Sequence, residues 1–163
     1  MGTGGLNIAN NATLRLNNSF ALNHAIELNG GGTIDTGANN NTLADVVSGT
    51  GALTKIGTGK LSLSGANSYN GGTVINGGIL QIEADSNLGA ANGAVTMADG
   101  TTLELTNDIS MDRAFTLNGK QRSRPMMERQ RSVRWSVAMA VSPKRAKVRS
   151  YLRALIHIRA IRP

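Results

Sequence analysis

The stretch Ser48–Ile82 reads "SGTGALTKIGTGKLSLSGANSYNGGTVINGGILQI" and alternates short apolar segments with glycine and asparagine. Within it, the two-residue periodicity of "KLSLS" (60–64) places Leu61 and Leu63 on the same face, as in a half-buried strand. The "NG" and "GG" pairs between such segments supply residues that enter positive-φ turns at little steric cost. The stretch therefore predicts short β-strands joined by tight corners.

The same pattern continues on both sides of this stretch, from Thr13 to residue 119. The other strand-like segments are "TLRL" (13–16), "AIEL" (25–28), "TI" (33–34), "TVI" (73–75), "ILQIE" (79–83), "AVTM" (94–97) and "TLEL" (102–105). Asn-Gly turns also suit the hairpins of an antiparallel sandwich. Such a sandwich needs larger core side chains than these short strands and an aromatic content of 3% provide. The sequence therefore favours an all-β parallel solenoid, a narrow coil filled by stacked aliphatic side chains.

Sixteen positions at fixed spacing in Ser48–Ile82 resemble the autotransporter-associated β-strand repeat of Gram-negative passenger domains. They are Gly51, Leu53, Thr54, Lys55, Gly57, Gly59, Leu61, Leu63, Gly65, Asn67, Tyr69, Gly71, Gly72, Thr73, Gly77 and Leu80. A match of this length is much more specific than an isolated glycine motif. We refer to these sixteen positions as the motif residues.

The resemblance implies a right-handed parallel β-helix over about residues 1–119, displayed at the cell surface or outer membrane, or released from it. It also implies that the repeat assists export and folding of the passenger, with an adhesin-related role, and performs no chemistry. The implied partners are the flanking β-helix coils and the C-terminal translocator barrel of the parent protein. The N-terminus "MGTGGLNIAN" has no basic region followed by an apolar run, so we expect this chain to be a fragment without a signal peptide. The sequence identifies no host or surface ligand.

The charge of the chain is divided between two unlike parts. Residues 1–119 carry four Lys/Arg against nine Asp/Glu, and residues 120–163 carry thirteen against one. Taken literally, the second part predicts a basic tail, irregular or helical, with Val148, Leu152 and Leu155 on one apolar helix face. The alternative function is therefore that of an acidic β-domain whose basic tail binds nucleic acid or an anionic membrane.

A different hypothesis explains the tail as translation in the wrong reading frame. Residues 12–30 resemble the segment 89 positions later, with Leu14 falling on Leu103 and Leu28 on Leu117. At the same offset, Val137–Ser150 read one nucleotide out of step is compatible with "SGNGGLTKTGEGTL", which follows the motif that begins at Ser48. We therefore predict a domain at 1–119 and an out-of-frame tail at 120–163. Such a tail would have no specific nucleic-acid partner, only nonspecific anionic binding.

The residues that carry chemistry in enzymes are scattered along this sequence. The chain has no cysteine, and neither His24 nor His157 has a catalytic or metal-binding partner nearby in sequence. "GTGK" (57–60) lacks the spacing of a phosphate-binding loop and indicates a corner followed by a strand. The acidic residues that could serve a β-helix glycosidase or bind Ca²⁺ are spread out, namely Asp35, Asp45, Glu83, Asp85 and Asp99. We expect no enzyme activity, no cofactor and no metal.

Overall fold

The computed structural model describes residues 4–118, and the elements named below lie in that range. They are β1 (Leu6–Ala9), β2 (Thr13–Arg15), β3 (Ala21–Leu22), β4 (Ile26–Asn29), β5 (Gly32–Asp35), β6 (Asn41–Leu43), β7 (Val47–Gly49), β8 (Leu53–Ile56), β9 (Lys60–Leu63), β10 (Thr73–Ile75), β11 (Ile79–Ile82), a 3₁₀ helix (Asp85–Leu88), β12 (Val95–Met97), β13 (Thr102–Leu105) and β14 (Phe115–Leu117). Each predicted strand-like segment coincides with one of these strands. The predicted tail at 120–163 lies outside the described residues.

The strands form three parallel sheets that run along one axis. Sheet A contains β1, β4 and β7; sheet B contains β2, β5, β8, β10, β12 and β14; sheet C contains β3, β6, β9, β11 and β13. The chain visits the sheets in turn, so each circuit is one coil. We number the coils 1 (6–22), 2 (26–43), 3 (47–63), 4 (67–82), 5 (85–105) and 6 (109–117).

All strand pairs in the described residues are parallel, and each strand pairs with its equivalent in the next coil. In sheet B, Thr13 lies opposite Thr33 and Thr33 opposite Thr54, an advance of 20 and 21 residues for one coil, and the other strand pairs give 19 to 23 residues. The predicted all-β parallel solenoid is therefore confirmed, and the antiparallel sandwich that the Asn-Gly pairs also suited is excluded for this part of the chain. The right-handed winding implied by the resemblance stays a prediction.

The core consists of columns of aliphatic side chains, one from each coil. Along sheet C, one column is formed by Leu43, Leu63, Ile82 and Leu105, which are at most 5% exposed. A fully buried aliphatic side chain of this size contributes about 1.5 to 3 kcal/mol of hydrophobic stabilisation. The columns fill a lumen that is too narrow for many aromatic side chains, which explains the low aromatic content.

The 89-residue self-similarity is not the period of the solenoid. Leu14 lies in sheet B, whereas Leu103, its partner at that offset, lies in sheet C. The strand register instead makes Leu117 the equivalent of Leu14, five coils later. The offset therefore relates segments at different positions in the coil. The segment at 137–156 that it predicts lies outside the described residues.

Sheet A ends as a regular sheet at β7, but the stacking continues into coils 4 and 5. The amides of Ser68 and Asn70 donate to the carbonyl oxygens of Val47 and Gly49, at 2.9 and 3.1 Å. Side chains in this extended segment alternate between buried and exposed as they would in a strand. Within residues 4–118, the fold has no helix of the length and hydropathy needed to cross a membrane.

Candidate functional site

The motif residues divide into an apolar lining, close-packed corners and a few buried polar groups. Leu53, Leu61, Leu63 and Leu80 point into the lumen and are at most 1% exposed. Thr54 lies on the outer side of sheet B and is half-buried. The lining leucines belong to the core columns, so the features specific to this motif lie at its corners.

The glycines of the motif lie where successive coils touch through their backbones. At Gly57 a Cβ atom would lie 2.5 Å from the backbone nitrogen of Gly37, and at Gly77 it would lie 2.8 Å from the carbonyl oxygen of Gly57. A Cβ at Gly51, Gly59, Gly65, Gly71 or Gly72 would also lie closer than 3.0 Å to a backbone atom of a neighbouring coil. These positions require glycine because the corners of adjacent coils leave no space for a side chain.

A buried lysine occupies the corner between sheets B and C. Lys55 lies in the inward column of sheet B between Ile34 and Ile75, and its side chain is buried. Its ammonium nitrogen donates to the carbonyl oxygens of Gly77 at 2.9 Å, Gly57 at 3.1 Å and Ile56 at 3.3 Å. It also donates to Oγ1 of the buried Thr36, at 3.3 Å. Thr36 belongs to coil 2 and Gly77 to coil 4, so one cation joins three coils.

Burial lowers the pKa of Lys55 from 10.5 to about 8, while the carboxylate of Asp35 opposes this change. A lysine with a lowered pKa is sometimes a nucleophile. Here the amine is enclosed by four hydrogen-bond acceptors of the solenoid wall, and the side chain is 0% exposed. This arrangement suits a bridge between coils better than a reacting group.

Two asparagines occupy the corner between sheets C and A. The side chain of Asn67 accepts a hydrogen bond from the amide of Val47 at 2.7 Å and donates to the carbonyl oxygen of Asn87 at 2.6 Å. Asn87 in turn donates to the carbonyl oxygen of Gly65 at 2.8 Å. Both side chains are at least 93% buried. Asn67 therefore joins coil 3 to coil 5 through its own position in coil 4.

A tyrosine and a threonine occupy the corner between sheet A and sheet B. The hydroxyl oxygens of Tyr69 and Thr73 lie 2.7 Å apart, and both residues are at most 1% exposed. Burial raises the pKa of Tyr69 to about 12, against smaller opposing effects from this hydrogen bond and from Arg113. The three corners of coils 3 and 4 thus each hold a buried polar side chain.

Arg113 extends this network to coil 6. Its guanidinium donates to both carboxylate oxygens of Asp85, at 2.6 and 2.8 Å. It also donates to the carbonyl oxygens of Leu88, Ala90 and Gly93, at 3.0 to 3.3 Å. Residue 113 is 3% exposed. The arginine therefore holds the irregular segment that opens coil 5.

Sequence reasoning missed Arg113, Asn87 and Thr36 as members of the network. Asn87 follows Asn67 by 20 residues, which is the length of one coil, so recognition of the coil period would have identified it. Arg113 is one of only four basic residues before position 120, and this scarcity was its only signal. Nothing in the sequence around Thr36 indicates its contact with Lys55.

The candidate chemical residues remain apart in the structure. His24 is exposed, and in residues 4–118 no three His, Cys, Asp or Glu side chains are grouped as a metal site. Asp85 pairs with Arg113, and Asp35 pairs with Arg15 at 3.2 Å. "GTGK" (57–60) forms a corner and the first residue of β9, as predicted.

Comparison with known proteins identifies the segment that contains these corners. Residues 53–82 match the family described as passenger-associated-transport-repeat. We refer to residues 53–82 as the transport repeat. All the motif residues except Gly51 fall within this transport repeat. The predicted recognition of an autotransporter passenger repeat is confirmed.

A curated relative agrees with this assignment. Over 90 residues, which is 55% of the chain, the sequence is 44% identical to the "Adhesin BmaC autotransporter" of Brucella suis biovar 1 (strain 1330). The chain spans 3% of the length of that relative. No solved structure matches the chain at a significant level.

Proposed function

We propose that the chain is a structural section of a surface-displayed autotransporter passenger, in which the transport repeat assists export and folding. The observation that carries the proposal is the set of hydrogen-bond partners of the buried polar groups in the repeat. Its buried polar groups, Lys55, Asn67 and Tyr69, all bond to the solenoid's own backbone or hydroxyl groups. A segment built in this way uses its buried polar groups to stabilise the stacking of coils.

The parent protein is proposed to lie at the outer membrane or cell surface, because the similar curated protein is an autotransporter adhesin. An adhesin-related role for the whole passenger follows from the same likeness. A solenoid supports both roles, because each coil provides a template for the next and the stack extends a binding region away from the cell. We propose a structural rather than an enzymatic role for the described part.

The export role can be tested by displaying the full chain on a Gram-negative host. The chain would be fused between a signal peptide and an outer-membrane anchor domain, with an epitope tag ahead of residue 1. We expect Gly71→Ala, which lies inside the transport repeat and whose added methyl group would clash with the backbone nitrogen of Ala52, to lower the epitope accessible on intact cells, and Gly31→Ala to leave it unchanged at equal expression. Equal display of both variants would contradict a role of the repeat in export.

The adhesin-related role is tested separately on the same cells. Displaying cells are expected to attach to cultured epithelial cells more than cells that carry the anchor domain alone. Attachment equal to that of the control would restrict the proposal to a scaffold role for this section of the passenger.

A further inference from the structure

We infer that coils 2 to 5 open and close as one cooperative block, because two buried side chains of the transport repeat each bridge three consecutive coils. A simple solenoid behaves as a one-dimensional array, in which each coil interacts only with its neighbours and opens in steps from an end. A side chain that needs both neighbouring coils at once adds an interaction beyond nearest neighbours. States in which only some coils of the block are open are then not populated.

Lys55 provides the first such bridge, across coils 2, 3 and 4. Its acceptors in coils 2 and 4, Thr36 Oγ1 and the Gly77 carbonyl oxygen, lie 3.3 and 2.9 Å from the ammonium nitrogen. If either outer coil unstacks, the ammonium group loses one of its fixed acceptors and the side chain gains freedom, so its contact with the other outer coil is weakened as well. Fixing a lysine side chain costs rotamer entropy, and because the two contacts share this cost, each makes the other more favourable. Partial opening next to Lys55 is therefore disfavoured relative to opening of all three coils.

Asn67 provides the second bridge, across coils 3, 4 and 5. Its amide group accepts from the Val47 amide in coil 3 and donates to the Asn87 carbonyl oxygen in coil 5, and the side chain is 93% buried. Loss of coil 5 removes the acceptor of the Asn67 amide donor and frees the side chain, which weakens its contact with Val47 and again disfavours partial opening. Because the two bridges overlap in coils 3 and 4, they join four coils.

Coil 1 lies outside this block. Asn39 and Asn41 each donate from the side chain to a carbonyl oxygen of coil 1, that of Leu16 at 3.2 Å and that of Asn18 at 2.7 Å, so each bridges two coils only. Leu6 and Phe20 in coil 1 are 36% and 43% exposed. Coil 1 can therefore open while coils 2 to 5 remain closed. The biological meaning of the block, one committed folding step during export, rests on the proposed function, but the coupling itself does not.

Native-state hydrogen exchange of the full chain tests the inference through backbone amides that bond to the next coil. Gly32, Leu53 and Thr73 donate to Ala52, Gly72 and Ala94, and they report on coils 2, 3 and 4. Leu6, which donates to Ala25, reports on coil 1. In the wild type we expect the three block amides to share one protection factor within about threefold, and Leu6 to exchange at least about tenfold faster.

Two variants remove one bridge each. Lys55→Met keeps the length and packing of the side chain, and we expect Gly32 to exchange at least about tenfold faster than Leu53 and Thr73 in this variant. Asn67→Ala should instead release coil 5, so that the Ala90 amide, which donates to Tyr69, separates from the block. Leu61→Ala is the matched control, because it removes buried apolar atoms from coil 3 without removing a bridge.

We expect Leu61→Ala to lower the protection of all block amides together. Three outcomes would overturn the inference. They are unequal protection factors of the block amides in the wild type, equal protection factors of these amides in both bridge variants, or unequal protection factors of these amides in Leu61→Ala. A failure of surface display with an intact block would contradict the proposed function alone.

Discussion

The ammonium nitrogen of Lys55 lies 2.9 Å from the carbonyl oxygen of Gly77, in the middle of a column otherwise occupied by aliphatic side chains. Ile34 and Ile75 are its neighbours in that column. The cation is tolerated there because the corner of the coil presents carbonyl oxygens to it at the point where the lumen ends. The transport repeat thus directs the polar ends of its buried side chains to the corners of an otherwise apolar coil.

Removal of the Lys55 amine should lower the stability most when the space of the side chain is also left empty. We expect Lys55→Ala to lower the free energy of unfolding by about 3 to 5 kcal/mol, since it leaves buried acceptors unpaired and a void behind. Lys55→Met fills the void and removes the buried charge, so its loss should be smaller, about 1 to 2 kcal/mol. Urea unfolding followed by circular dichroism measures both. Equal losses in the two variants would show that packing has no part in the effect.

The lowered pKa of Lys55 predicts a rise in stability with pH. Below about pH 8 the amine is charged in both the folded and the unfolded chain, so folding bears the full penalty of burying the charge. Between about 8 and 10.5 the folded chain releases the proton while the unfolded chain keeps it. The unfolded state then binds more protons, and stability increases as pH rises. The urea midpoint of the wild type should therefore rise relative to that of Lys55→Met over this window, and a constant difference would contradict the prediction.

Tyr69 has the opposite pH dependence at higher pH. Its pKa is raised from 10.0 to about 12, so the folded chain keeps a proton that the unfolded chain loses, and stability falls over that range. We expect Tyr69→Phe to remove this fall. At neutral pH the variant should lose about 1 to 2 kcal/mol, because the buried Thr73 hydroxyl loses its partner. Denaturation at pH 7 and pH 11 separates the two effects, and an unchanged fall at high pH would assign it to other groups.

The fold could be predicted from the sequence because its determinants are local. Alternation at Leu61 and Leu63 indicates a strand with one buried face, and the glycine pairs indicate corners. Strand β8 did not stand out, since Lys55 occupies an inward position where the alternation calls for an apolar residue. Strand β3 was missed because its two residues are too few to show a period.

The bridges between coils in the corner network could not be predicted because they join residues about 20 positions apart. Lys55 contacts Gly77 and Asn67 contacts Val47 only once the coils are stacked in register. A lysine and an asparagine in a polar, glycine-rich sequence indicate solvent exposure, and the sequence pattern alone gives no reason to bury them. Prediction of these contacts requires the strand register between successive coils, and the apparent 89-residue period does not give that register.

The corner glycines should differ sharply in their tolerance of a methyl group. A Cβ at Gly51 would overlap the carbonyl oxygen of Gly30, whereas at Gly31, in the same corner one coil earlier, the nearest atom would be 3.8 Å away. We expect Gly51→Ala to destabilise the fold by about 3 kcal/mol or more, since backbone must move, and Gly31→Ala to change stability by less than about 0.5 kcal/mol. Thermal unfolding of the pair measures the difference. A tolerated Gly51→Ala would mean that the corners separate easily.

The two arginine–aspartate pairs of the described residues should contribute very unequally. The side chain of Arg113 is 1% exposed and bonds to both oxygens of Asp85, whereas that of Arg15 is 70% exposed beside Asp35. We expect Arg113→Lys to cost about 3 kcal/mol, because a lysine cannot reproduce the bidentate bond and leaves buried carbonyl oxygens unpaired. Arg15→Lys should cost less than about 0.5 kcal/mol. Urea unfolding in low and high salt compares them, and the Arg113→Lys loss should persist in high salt because Arg113 is buried and salt screens a partly buried pair only weakly. An Arg113→Lys loss that disappears in high salt would mean that the pair is open to solvent and does not hold the start of coil 5.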